Sequence, residues 1–404
     1  MSPRRIKTIC FTLEGINSFA ATFYFSYLFF FLRDNFGFDS RRNLWVSALH
    51  GFIYLFAAWQ GGRFGQRRGY FNALKLGYAG AAAAMLIGAF FTHSLAAQYL
   101  TIVGYTVMIC FTWPALEALI SAGADDRELP RLIGIYNVVW AAAAALAYFF
   151  GGAIFEAIGW KTLFWLPAVF FTVQFFAVLW LEKKILPPAA APQAHPPHAP
   201  EAAAAQQAIS PQTFLKMAWL GNPVGYIASN TVIATIPQVA QQLNLSVTAS
   251  GWFCSLWLFA RLAAFIGLWR WTGWHYRFRW LVAAFIALIV SFAALLLVHD
   301  LWVLVLAQLG FGAAVGLLYY SSLFYSMDVG EHSQGEHGGL HEAFIGAGIF
   351  AGTATGATAL QFFPQSANAG TVAVGGLLLC GFAGLMAIRG KAQKSKHQAP
   401  EKHQ

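Results

Sequence analysis

Apolar residues dominate this chain in twelve long stretches separated by short polar turns. They lie at about 9–32, 43–62, 71–91, 97–121, 131–155, 161–181, 213–240, 247–269, 279–299, 301–326, 340–363 and 371–389. Each is close to the roughly 20 residues an α-helix needs to cross a bilayer. Lipid offers open backbone groups no hydrogen bonds, so segments of this kind are expected to be helices. Continuous apolar runs do not fit the alternating pattern of a barrel strand. Connections as short as His299-Asp300 require neighbouring helices to run antiparallel. The pattern predicts an all-α membrane protein with twelve transmembrane helices.

One segment breaks the pattern. Leu186 to Pro211 reads LPPAAAPQAHPPHAPEAAAAQQAISP, rich in proline, alanine and polar residues. Such a chain is semi-extended and solvated, and works as a connector. It divides the apolar stretches six and six. The expected organisation is a six-helix bundle over 1–184, a linker over 185–212, a second six-helix bundle over 213–389 and a basic tail over 390–404. The linker should tolerate changes of length and sequence.

Composition narrows the class further. The chain is 58% hydrophobic and 10% charged, against roughly 25% charged in a soluble domain. Of its 25 lysines and arginines, 20 fall on one side of the membrane if both termini share that side. Basic residues mark the cytoplasmic face, so both termini and the linker are expected there, in a bacterial-type inner membrane. The net charge of +9 then reflects topology, and no nucleic-acid partner is expected. The tail after Arg389 can lie against anionic lipid headgroups. The first apolar stretch has no small-residue cleavage site and should remain as a helix. Cys10, Cys110, Cys254 and Cys380 lie far apart in or beside apolar runs, with neither a disulfide framework nor a metal spacing.

The turn after the second stretch reads Gly62-Arg63-Phe64-Gly65-Gln66-Arg67-Arg68-Gly69-Tyr70. It resembles the signature loop of the major facilitator superfamily, Gly-x-Leu-Ala-Asp-Arg-x-Gly-Arg-Arg. Gly62, Arg67 and Gly69 match, while Gln66 stands where the family has its acidic residue. The resemblance implies two six-helix bundles around a central site that opens alternately to each side. It implies that the first, fourth, seventh and tenth spans line the cavity and that the second, fifth, eighth and eleventh join the halves. Small residues suited to close helix approach occur on two of the joining spans. They are Gly346, Gly348, Gly352 and Gly356 in the eleventh, and Ala141 to Ala145 with Gly151-Gly152 in the fifth. The resemblance also assigns Gly62, Arg67, Arg68 and Gly69 to a cytoplasmic gating loop, weakened by the missing acid. The fifth span lacks the proline-containing glycine motif of many drug/proton antiporters.

Polar groups inside apolar spans are costly, so they are the first candidates for chemistry. Glu14 and Glu117 lie on the first and fourth spans at similar cytoplasmic depth and can bind substrate or carry protons. Their alternative role is structural hydrogen bonding near the helix ends. Arg261 is the one cation within a span, a counter-ion for a carboxylate or an anionic substrate, or a fixed ion-pair partner between the halves. His50 can relay protons or pack as a hydrogen-bonded core residue. Asn17, Asn137 and Asn230 can read hydroxylated solutes, and Trp113, Trp140, Tyr319 and Tyr320 can offer stacking faces. With 38 phenylalanines and 15 tryptophans in the chain, packing is the default role of any one aromatic. Pro114 and Pro223 should kink their helices, with Gly221-Asn222-Pro223 the better hinge. The Asp328–His337 stretch with His341 and Glu342 fits no zinc signature. Glu342, read as the start of the eleventh helix, is expected to stabilise a cytoplasmic gate through the helix dipole, with Glu331 and Glu336 pairing with Arg67, Arg68 or Arg277.

These features predict a monomeric secondary transporter of a small organic solute, with H+ as a candidate coupling ion and no cofactor or metal. The competing reading is a transport-inactive sensor or assembly partner built on the same fold, favoured by Gln66. No nucleotide, metal or Ser/His/Asp motif points to an enzyme.

Overall fold

The computed structural model describes residues 2–124, 128–184, 209–329 and 334–398. They form thirteen helices: α1 (Pro3–Phe36), α2 (Ser40–Arg68), α3 (Tyr70–Phe90), α4 (Leu95–Ile109), α5 (Trp113–Ser121), α6 (Leu129–Ile158) and α7 (Thr162–Lys184), followed by α8 (Pro211–Gln242), α9 (Val247–Arg270), α10 (Phe278–Leu297), α11 (Leu301–Val329), α12 (Gln334–Phe362) and α13 (Ala369–Gln398). Among the described residues, ten segments are long and apolar enough to cross a membrane, with α4 and α5 counted as one. The two expected spans outside that set are α2 and α8. They are long, but Asn43, His50 and Gln60 on α2 and Asn222, Asn230 and Gln238 on α8 dilute their apolar character. Large apolar side chains such as Phe90, Ile158, Trp302 and Phe362 stand exposed on the outside, as a lipid-facing surface requires.

Local sequence explains the helix ends. Asp39, Ser94, Ser210 and Ser246 cap α2, α4, α8 and α9 by accepting backbone N–H bonds from the first turn. Gly37 closes α1 in the left-handed conformation. Between α2 and α3 the expected loop is almost wholly helical. Gly62, Arg67 and Arg68 belong to the last turns of α2, and Gly69 alone makes the connection at φ +92°. A side chain there would be strained.

The fourth span, expected as one helix over 97–121, is broken at Cys110–Thr112. Pro114 opens α5, and the Thr112 hydroxyl donates to Ile109 O at 2.7 Å. By contrast α8 is one continuous helix through Pro223, so the interruption falls at Pro114 and not at the Gly221-Asn222-Pro223 hinge. Helix α12 begins at Gln334, earlier than the expected 340. Helix α13 runs past the expected end at 389 into the basic segment. The linker lies outside the described residues over 185–208, as do 330–333, the side chains of 327–337 and the end of the tail from 399. The proposed partners Glu331 and Glu336 are among these.

Two helix pairings dominate the packing: α2 along α12, and α6 along α9. Glycine makes both possible. A Cβ on Gly51 would overlap the Phe350 backbone, and one on Gly346 would overlap Leu55. On the other pair, Gly152 abuts the Val247 and Thr248 backbone, and Gly134 abuts the Trp269 ring. Gly348 and Gly352 fit against Pro223 and Ile227 of α8.

Polar contacts gather where α1, α6, α8 and α12 end and α2 and α9 begin. Arg33 Nη1 donates to Pro237 O at 2.5 Å, Ser40 donates to Gln238, and Arg41 Nη1 donates to Gln361 at 3.0 Å. Beside them, Glu156 accepts from the Thr248 backbone N–H at 3.0 Å and hydroxyl at 2.7 Å.

Candidate functional site

Among the described residues, nine helices surround a cavity of about 180 Å³. Its wall comes from α1, α2, α4, α5 and α6 before the linker and from α8, α9, α11 and α12 after it, with α4 and α5 forming one broken span. Helices α3, α7, α10 and α13 contribute nothing to it. Of the sequence candidates, Glu14, His50, Trp113, Trp140, Asn230, Arg261 and Tyr319 line this cavity. Asn17, Glu117, Asn137 and Tyr320 lie behind its wall.

The carboxyls form one group. Glu14 is fully buried and accepts from Ser18 Oγ at 2.7 Å. Its Oε2 has no hydrogen bond of good geometry, although Trp113 and Tyr136 lie close enough to offer one. Tyr136 also reaches toward Glu117, whose Oε1 is likewise unsatisfied. Gly338 on α12 leaves the space that Glu117 Oε2 fills. Glu342 is the third member, an electrostatic neighbour of both, and it accepts a hydrogen bond from the Tyr54 hydroxyl. Its expected place at the helix start is corrected here. Because α12 begins at Gln334, Glu342 lies about two turns inside the helix, buried on the cavity wall.

Arg261 faces the same cavity from α9 and is only 6% exposed. Its guanidinium carbon lies 4.4 Å from the ring centre of Trp140 and 5.0 Å from that of Trp257. Both are cation–π distances. Trp140 is held in place because its indole N–H donates to Asn137 Oδ1 at 3.0 Å, one turn away. Tyr319 packs edge-on against Trp140 with ring centres 5.1 Å apart. Gly316 on α11 gives the Arg261 stem room to pack. No ion pair to Arg261 occurs among the described residues, and its Nε lacks a hydrogen-bond partner.

His50 completes the wall between these groups. Thr106 spends its hydroxyl hydrogen on Ile102 O at 2.6 Å, so the His50 Nδ1 at 2.8 Å must be the donor in that pair. That leaves Nε2 as the ring's open position. The remaining candidates serve their neighbours. Asn17 donates to Thr112 at 3.2 Å across the break between α4 and α5. Tyr320 packs against Phe265 and Trp274.

Sequence reading missed Ser18, Tyr54, Tyr136, Tyr226 and Trp257, all on the cavity wall. Each lies four positions from a residue it did single out: Glu14, His50, Trp140, Asn230 and Arg261 respectively. Residues four apart share a helix face, so extending each candidate by one turn would have found them.

Residues 10–222 match the family profile of the Major Facilitator Superfamily, more than half of the chain. No curated protein matches by sequence. Among solved structures, the human organic anion transporter MFSD10 (TETRAN) is similar with a TM-score of 0.68 at 15% identity, over 95% of this chain and 100% of that one. A mutant of the nucleoside transporter NupG gives a TM-score of 0.72 at 13% identity, over 95% and 99%. Identities this low establish the fold alone. The family profile goes further: the chain belongs to the Major Facilitator Superfamily and is an integral membrane transporter, not an enzyme.

Proposed function

We propose that this protein is a secondary transporter that moves a small organic solute by alternating access. In this reading it has twelve crossings arranged as two six-helix bundles, over 1–184 and 213–389. The linker at 185–212 and the tail at 390–404 are cytoplasmic, and the protein works as a monomer in a bacterial-type inner membrane. The carrying observation is the cavity, which is bounded by helices from both sides of the linker and lined by buried ionisable groups. A site between two bodies is where rocking motion exposes a solute first to one face and then to the other.

Proton coupling is part of the proposal. Glu14 and Glu342 share the cavity with one guanidinium, Glu117 lies behind the wall as their electrostatic neighbour, and uncompensated charge is expensive in a buried site. Proton uptake by the carboxyls would balance the charge as the solute enters and leaves. The end where Arg33, Ser40, Arg41 and Glu156 make their contacts would face outward, closed in this conformation.

Counterflow in proteoliposomes tests transport directly. Exchange of a labelled solute that depends on the purified protein supports it. Inert liposomes, together with a stable protein partner, would favour the sensor reading that Gln66 raises.

A further inference from the structure

The Arg261 side chain is the least explained group in the cavity. A guanidinium that is 6% exposed normally has a carboxylate partner, because desolvating an unpaired charge costs several kcal/mol. Here Glu14 and Glu342 line the same cavity, with Glu117 behind its wall, yet none of the three forms an ion pair with it. The two indoles explain why. Trp140 and Trp257 hold the guanidinium at 4.4 and 5.0 Å from their ring centres, on the α6–α9 side. Asn137 fixes the Trp140 ring through its 3.0 Å hydrogen bond. Glu342 is engaged by Tyr54 and Glu14 by Ser18. Cation and carboxyls are therefore kept apart across a space open to a ligand.

A guanidinium held on its face by aromatic rings still presents N–H donors along its edge, in the planar fork that matches a carboxylate. Among the described residues only one such cation lines the cavity, and Glu14 and Glu342 share that lining, so a polyanion would be repelled. The lining also carries apolar and aromatic side chains, among them Phe25, Ile233, Leu258 and Ile349, beside hydroxyl and amide groups such as Ser229 and Asn230. We infer that the cavity binds a monocarboxylate with an apolar or aromatic body, its carboxylate on Arg261 and its body against the apolar wall. Asn137 acts as a positioning residue for Trp140. This deepens the transporter reading and rests on it for its physiological meaning, but binding can be measured without transport.

The test is binding to the purified full-length protein in detergent, by calorimetry and thermal shift. The probes are benzoate, phenylacetate and hexanoate, each paired with its neutral amide. The expected result is that at least one acid binds at least tenfold tighter than its amide. Arg261→Gln should erase that preference, and Arg261→Lys should keep it while weakening acid binding at least threefold, because the fork is lost. The inference is overturned by equal binding of acids and amides, by absence of acid binding, or by a preference that Arg261→Gln leaves intact. If Arg261→Gln does not fold, the wild-type comparison and Arg261→Lys decide, and unchanged affinity in Arg261→Lys overturns it. A clear acid preference without counterflow would defeat the transporter reading alone. Counterflow of a neutral solute by a protein with no acid preference would defeat this inference alone.

Discussion

Tyr54 on α2 donates its hydroxyl hydrogen to Glu342 on α12, joining residues 288 positions apart in the wall of the cavity. The two helices approach closely there because Gly51 and Gly346 carry no side chain. The bond therefore links an ionisable cavity group to the most extensive helix pairing among the described residues. Removing the hydroxyl leaves a buried carboxyl short of a donor, a loss of about 1–3 kcal/mol. Tyr54→Phe should lower the melting temperature and slow counterflow several-fold. In a double-mutant cycle with Glu342→Gln, thermal stability should report a coupling of about 0.5–3 kcal/mol. Strict additivity would mean that the two side chains act independently.

Proton coupling makes a separate prediction for the three carboxyls. Glu14→Gln, Glu117→Gln and Glu342→Gln each keep the shape of the side chain while removing its ability to lose a proton. At least one variant should retain counterflow, which needs no net proton movement, yet lose accumulation driven by an imposed pH gradient. The measurement is uptake of the same solute in both assays. Gradient-driven accumulation that persists in all three variants rejects the coupling.

Much of this site was legible in the sequence because of what burial costs. Glu14, Glu117 and Arg261 stand out because a charge in an apolar run must have a purpose. Tyr54, Tyr226 and Trp257 do not, since an aromatic among 38 phenylalanines and 15 tryptophans carries no signal until its helix face is known. Glu342 is misplaced by sequence because the apolar run starts only at about 340, after the polar, glycine-containing Asp328–His337 stretch, whereas α12 already runs from Gln334. Gly338 and Gly339 are needed for packing: Gly338 makes room for Glu117, and Gly339 lies against the backbone of Ala58 and Gly62. The break before α5 had its cue in Pro114. Its exact place also depends on Gly61 and Gly77, which press against the Cys110 and Met108 carbonyls, a contact that local sequence does not reveal.

Glycine at the paired helices gives a prediction with an internal control. A Cβ at Gly51, Gly152 or Gly346 would overlap backbone atoms of the facing helix, which cannot rotate away. At Gly375 and Gly376 on α13 nothing lies within 4 Å. Gly51→Ala, Gly152→Ala and Gly346→Ala should each destabilise the fold by about 1–3 kcal/mol, the usual cost of overpacking. Gly376→Ala should be neutral or slightly stabilising, because alanine is the better helix former. Thermal unfolding in detergent checks all four. Equal melting temperatures across the set would show that the α2–α12 and α6–α9 contacts are looser than described.

The contact between Ser40 and Gln238 offers the most direct test of alternating access. The two side chains touch between the start of α2 and the end of α8. Arg33 to Pro237 and Arg41 to Gln361 lie alongside. If this end must part for solute to pass, a covalent bridge across it should stop the cycle. Cys10, Cys110 and Cys254 are buried and Cys380 is exposed, so a Cys380→Ser background removes the accessible competitor. In that background, oxidising the Ser40→Cys/Gln238→Cys double variant should reduce counterflow at least tenfold, and reduction should restore it. Each single variant should be insensitive to oxidant. A double variant that is fully cross-linked, as judged by thiol labelling, and still exchanges solute at the wild-type rate would show that this end is not a gate.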